Sequence, residues 1–152
     1  MTQMIPTTDT LYEQDFVAWC EDTVAKLKRR ELDNLDFENL IEEIASLGRS
    51  ERRELRNRLT VLLAHILKRR YVKSSENFRG WELTIIEQRR QIKNLLQDSP
   101  SLKPYLGQIF TGAYEDALEE VRFEYQLTDF PDTWQFDIEA DVLLAKAYWE
   151  ED

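Results

Sequence analysis

The chain has one histidine, His65, and one cysteine, Cys20, in 152 residues. A lone cysteine cannot close a disulfide within the chain, so a secreted disulfide framework is excluded, and a cysteine-rich zinc site with it. A lone histidine excludes a His-x-x-x-His zinc pair. It also excludes the two Glu-x-x-His segments of a di-iron bundle, and the residue three before His65 is Leu62. Glycine and proline are scarce, four of each. No P-loop, Gly-x-Gly-x-x-Gly or Gly-x-Ser-x-Gly elbow occurs, so nucleotide-cradle and triad-hydrolase readings lose their usual support. The leading expectation is a chain with no cofactor and no bound metal. The longest uncharged apolar run, Val61 to Leu67, is interrupted by His65 and is far too short to cross a bilayer. The opening MTQMIPTTDT has neither the basic region nor the apolar core of a signal peptide. The expectation is a cytoplasmic protein with no membrane association. Cations are also short: 20 Lys and Arg stand against 30 Asp and Glu, a net charge of −10. Such a chain repels nucleic acid and anionic lipid at long range.

What is present favours helices. Hydrophobic residues make up 42% and aromatics number 17, enough for a core in a chain of this length. After a flexible tail over residues 1–9, the spacing predicts a single helical domain over residues 10–152. Thr10 and Glu13 form a capping box for a first helix from Leu11 to Arg30, with Trp19, Val24 and Leu27 among its core positions. Asp36 caps a second helix, Phe37 to Leu47, whose Leu40, Ile41, Ile44 and Leu47 read as one buried stripe. Gly48 follows as its C-cap. Ser50 opens a third helix carrying the strongest stripe, Leu55, Leu59, Leu62, Leu63, Ile66 and Leu67. Residues 72–80 read as a loop. A fourth helix runs from Trp81 to Gln97, with Leu83, Ile86, Ile92 and Leu95 inward. Pro104 limits 100–107 to a short turn before a fifth helix over 108–125. Asp137 caps a last helix through Trp149. No segment alternates strictly, so the class is all-α: an antiparallel helical bundle of about five main helices plus a C-terminal helix.

The order of LDFENLIEEIASLGRSERRELRNRLTVLLAHILKRRY, Trp81 with ELTIIEQRRQI, SPSLKPYL, AYEDAL and a final FP resembles the bacterial family called domain of unknown function 29, common in cyanobacteria. The resemblance covers residues 12–131, with the EEI, LGRSER and HILK segments the most specific. After Pro131 the sequence WQFDIEADVLLAKAYWEED departs from it, lacking the cysteine–proline pair expected there. The resemblance implies an all-helical bundle and no established activity.

Two groups of side chains are candidates for function. The first is a polar network of Glu42, Glu43, His65, Trp81 and Arg89. Adjacent Glu42 and Glu43 project about 100° apart on a helix and do not easily share one ion. His65 falls at the border of the third helix's apolar face, where a carboxylate such as Glu43 is its natural partner. Arg89 or Arg90 can reach the same carboxylate, and Trp81 reads as a core residue. The second group is basic. Arg49, Arg52, Arg53, Arg56, Lys68, Arg69 and Arg70, with Arg58 and Lys73, set nine cations against Glu51 and Glu54. That is +7 in a segment of an acidic chain, leaving −17 on the rest. It can track phosphates, or it can receive the acidic residues of 113–152, where 13 acids face two bases. Three functions follow. The first is a non-catalytic protein-interaction or regulatory module, with a protein partner or self-association. The second is nucleic-acid binding through residues 49–73, which the net charge disfavours. The third is a metal-dependent enzyme using Glu43 and His65.

Overall fold

A computed structural model describes residues 10–150, and the tail expected over 1–9 lies outside the described residues. The chain divides into two compact units, Met1–Gly48 and Arg49–Asp152. The described residues form six α-helices, four of them long, and one 3-10 turn, with no strand among them. The fold is all-α.

The first unit holds α1 (Leu11–Gln14), α2 (Phe16–Lys28), the 3-10 turn Leu32–Asn34 and the start of α3 (Phe37–Tyr71). The single first helix expected from Leu11 is cut at Asp15. Its extended backbone (φ −153°) closes α1, and its side chain accepts from the Ala18 amide at 3.0 Å to open α2. An aspartate that can cap competes with helix continuation, and here the cap wins. Apolar periodicity also misleads in this unit. Of the residues expected inside, Trp19 is buried, whereas Val24, Leu27, Ile41, Ile44 and Leu47 are exposed.

α2 ends in a Schellman motif. The Glu31 amide donates to Lys26 O at 3.0 Å and the Arg30 amide to Leu27 O at 3.1 Å. The left-handed residue such a motif requires is Arg30, at φ 62°. A side chain there costs about 1–2 kcal/mol that glycine avoids. Arg30→Gly is therefore expected to raise stability by about 0.5–1 kcal/mol in chemical denaturation, after glycine's own unfolded-state entropy is deducted. Arg30→Ala should give no gain.

The second unit holds the rest of α3, then α4 (Ser75–Asp98), α5 (Leu102–Glu124) and α6 (Ala140–Leu143). Side-chain pairs fix the directions. Arg58 meets Gln88 and Arg69 meets Glu82, so α4 runs antiparallel to α3. Arg56 meets Asp116 and Lys68 meets Glu124, so α5 runs parallel to it. The stripe from Leu55 to Leu67 is fully buried, facing Ile85 and Ile92 of α4 and Ala113, Ala117 and Val121 of α5. Leu83 and Ile86, expected inside, are exposed.

Three boundaries differ from the sequence reading. Gly48 does not end a helix: α3 is continuous through it for 35 residues, and Ser50 lies within it. Glycine inside a helix costs only about 1 kcal/mol, which a long helix absorbs. The loop over 72–80 shrinks, because α4 begins at Ser75. Pro104 sits inside the first turn of α5, where its missing N–H has no intrahelical acceptor to lose.

The last helix is the largest correction. Of the stretch from Asp137 to Trp149 only Ala140–Leu143 is α-helical. Asp137 turns on itself, accepting from the Glu139 amide at 2.9 Å rather than capping a long helix. On either side of it, aromatic packing replaces helical pairing. Trp134 lies 5.6 Å from Phe110, 5.7 Å from Tyr114 and 5.2 Å from Tyr148, all edge-on, and Tyr148 is completely buried.

Candidate functional site

The basic segment turns largely inward on its own unit. The Arg56 guanidinium pairs with Asp116 at 2.9 Å and lies against Gly112, where an added Cβ would meet it at 3.0 Å. Lys68 is buried, with its ammonium 3.3 Å from Glu124 and 5.7 Å from the Trp81 ring. Arg69 lies 3.8 Å over Phe78 and 5.3 Å from Trp149, with Glu82 at 3.3 Å as its ion-pair partner. Arg70 donates to the Tyr148 carbonyl and stacks over Phe136 at 4.9 Å. Arg52 stands over Tyr105 at 5.1 Å. Arg49 is exposed on α3. Arg53 has no ion-pair or ring partner among the described residues. It lines an open groove of about 380 Å³ with Ser50, Asn57, Arg58 and Gln88. Four of the seven candidate cations thus reach residues 113–152, as the acidic composition of that region suggests. They reach its carbonyls and rings as well as its carboxylates.

Glu43, His65, Trp81 and Arg89 of the candidate polar network each have partners within their own unit. Glu43 and His65 fall on one helix rather than on two facing ones, and each takes its partner from its own unit. Glu43 accepts from the Tyr12 hydroxyl, and that bond holds the phenol above its ordinary pKa. Glu42 is exposed on the same helix. His65 Nδ1 lies 2.8 Å from Val61 O one turn back, which fixes the tautomer with Nδ1–H donating. Trp81 is buried among Phe78, Tyr125 and Lys68. Arg89 lies in the second unit. It donates to Leu143 O at 3.1 Å and also to Lys146 O, closing the end of α6, while Arg90 pairs with Glu87. Among the described residues no three His, Cys, Asp or Glu side chains gather as metal ligands.

Burial holds His65 below the ordinary histidine value of 6.5, and neighbouring Lys68 acts in the same direction. The unfolded chain therefore binds more protons than the folded one just below pH 6.5. Stability from this group is complete above that pH and declines as pH falls through it toward the folded value. His65→Gln is expected to flatten the stability curve on that acid limb. Denaturant midpoints of both proteins, read across the same pH series, check it. Parallel curves below pH 6.5 would show that His65 does not titrate differently on folding.

Sequence reasoning missed Tyr12, Asp15 and the ring set of Trp134, Phe136 and Tyr148. The signal that could have found the last of these is the run of aromatics between Trp134 and Trp149.

The structure defines an all-helical protein with a self-contained charged bundle in one unit and an open apolar surface on the other. No described helix is long and apolar enough to cross a membrane. The chain belongs to the family described as Domain of unknown function DUF29, whose model matches residues 11–149. The match runs through Trp149, beyond the Pro131 limit read from the sequence. Neither the curated proteins nor the solved structures gave a match.

Proposed function

We propose that this chain is a cytoplasmic, non-catalytic protein-interaction module whose docking face lies on α2 and the start of α3. One observation carries the reading. Among residues 10–48 only Trp19 and Thr23 are buried, while apolar side chains on both helices stand open to solvent. An apolar stripe of this extent marks a contact surface more often than a solvated one. The basic segment supports the same reading from the other side. Its cations are largely occupied by Asp116, Glu124, Glu82 and ring faces, which leaves few to track a phosphate backbone.

The test is photo-cross-linking in living cells, with benzoylphenylalanine placed at Ile41 or Leu47 and, as control, at exposed Leu83. Cross-links to protein from the first two positions and not from the third are expected. Equal or absent cross-linking at all three ends the proposal.

A further inference from the structure

The occupant of this face can be argued from its pattern. On α2, Val17, Cys20, Val24 and Leu27 recur at intervals of three, four and three, the seam of a two-helix coil. Val17, Val24 and Leu27 are 65%, 49% and 36% exposed. A groove of about 360 Å³ runs beside the seam, along Cys20, Glu21, Val24, Ala25 and Lys28. On α3, Phe37, Ile41, Ile44 and Leu47 share one face and are 50–67% exposed. Scaling roughly 100 Å² of apolar area per side chain by its fractional exposure, the α2 residues with Phe16 offer about 200 Å² per copy and the α3 residues about 240 Å². A standard interface takes about 800 Å² from each partner, about 65% of it apolar in homodimers. The α2 stripe therefore supplies part of the apolar area that a stable dimer needs.

Charge along α2 selects an orientation. Asp15 caps the start of α2, Glu21 and Asp22 stand at its middle, and cations gather at its end (Lys26, Lys28, Arg29, Arg30). A parallel partner would set like charge on like, whereas an antiparallel one sets each end against its opposite. Lys26 and Arg29 are already paired with Asp22 and Glu31. Glu21 and Lys28 have no side-chain partner among the described residues, and both flank the seam. Two-fold symmetry about a point near Val24 brings Glu21 of one copy to the level of Lys28 of the other, and does so twice. Within one helix the two lie seven residues apart and do not pair.

We propose that the occupant is a second copy of this chain, with α2 running antiparallel to its counterpart about a two-fold axis near Val24. This rests on the reading that the first unit carries a docking face. Sedimentation equilibrium of the full chain tests it. The expected mass is twice 18.2 kDa at micromolar concentration. Val24→Glu, at an exposed position, should give a monomer with unchanged helical circular dichroism. Lys28→Glu should weaken the dimer by on the order of tenfold, and Glu21→Lys likewise. Combining the two should restore most of the loss, because only the antiparallel arrangement pairs these positions between copies. A dimer indifferent to Val24→Glu, or a double variant no tighter than either single one, overturns the proposal. So does a chain that stays monomeric. A monomer whose Ile41 and Leu47 still cross-link to another protein in cells overturns self-association alone and leaves the docking face standing. A monomer with no cross-links removes both.

Discussion

Trp81→Ala is expected to lower the unfolding free energy of the second unit by about 3–5 kcal/mol, the range for a large aromatic truncated in a core that cannot collapse around the gap. The indole is 8% exposed, with Phe78 and Tyr125 rings at 6.1 and 6.0 Å. It also covers Lys68, whose ammonium lies 5.7 Å from the ring. Removing the ring leaves a buried cation with Glu124 alone, 3.3 Å away and half exposed. A domain of this size holds only about 5–15 kcal/mol in total, so the loss is a large share of its stability. Trp81→Phe keeps most of the volume and should cost less than half as much. Urea midpoints at constant slope measure both. A loss under 1 kcal/mol for the alanine variant would mean that the ring is a surface platform available to a ligand, and the candidate network would need reopening.

That expectation could be read from the sequence only in part, and the reason is physical. Periodicity reports which face of a helix is apolar and says nothing of what covers it. The stripe from Leu55 to Leu67 and the stripe from Phe37 to Leu47 have the same spacing, yet the first is sealed by α4 and α5 and the second is open. Local signals compete in the same way. Asp15 interrupts a strong pattern because its carboxylate satisfies the Ala18 amide. Gly48 fails to interrupt one because nothing offers the chain a better alternative. Glu43 and His65 lie on one continuous helix because no turn forms at Gly48, and each has a partner in its own unit, Tyr12 for one and Val61 O for the other. The charge asymmetry was legible, since basic 49–73 does meet acidic 113–152. Its chemistry was not, because composition cannot show that Arg70 and Arg89 would bind backbone carbonyls in preference to carboxylates.

Those carbonyl contacts define the second large effect. Arg89 on α4 donates Nε to Leu143 O, the last residue of α6, and Nη2 to Lys146 O three residues on, carbonyls that no helical amide follows to reach. α6 is four residues long and cannot hold itself by helical cooperativity. Its position therefore depends on Leu143, Leu144 and Tyr148 in the core, and on two arginines, Arg89 from α4 and Arg70 from α3. Burial lowers the Arg89 pKa, yet the guanidinium stays charged at any ordinary pH, so both bonds are charge-assisted. Arg89→Met keeps much of the aliphatic stem and removes both donors. With about 1.5–3 kcal/mol for a hydrogen bond to a charged group, and one of the two exposed, the expected loss is about 2–4 kcal/mol. The loss should be local first. Amide exchange over residues 140–149 should accelerate before that of α3, α4 and α5, and limited proteolysis should cut near Asp137 while the three long helices survive. Arg89→Lys offers one donor in place of a fork and should recover about half of the effect. Exchange that rises uniformly across the second unit would show instead that the segment and the bundle unfold together. Arg89 would then hold the whole core and not the C-terminal segment alone.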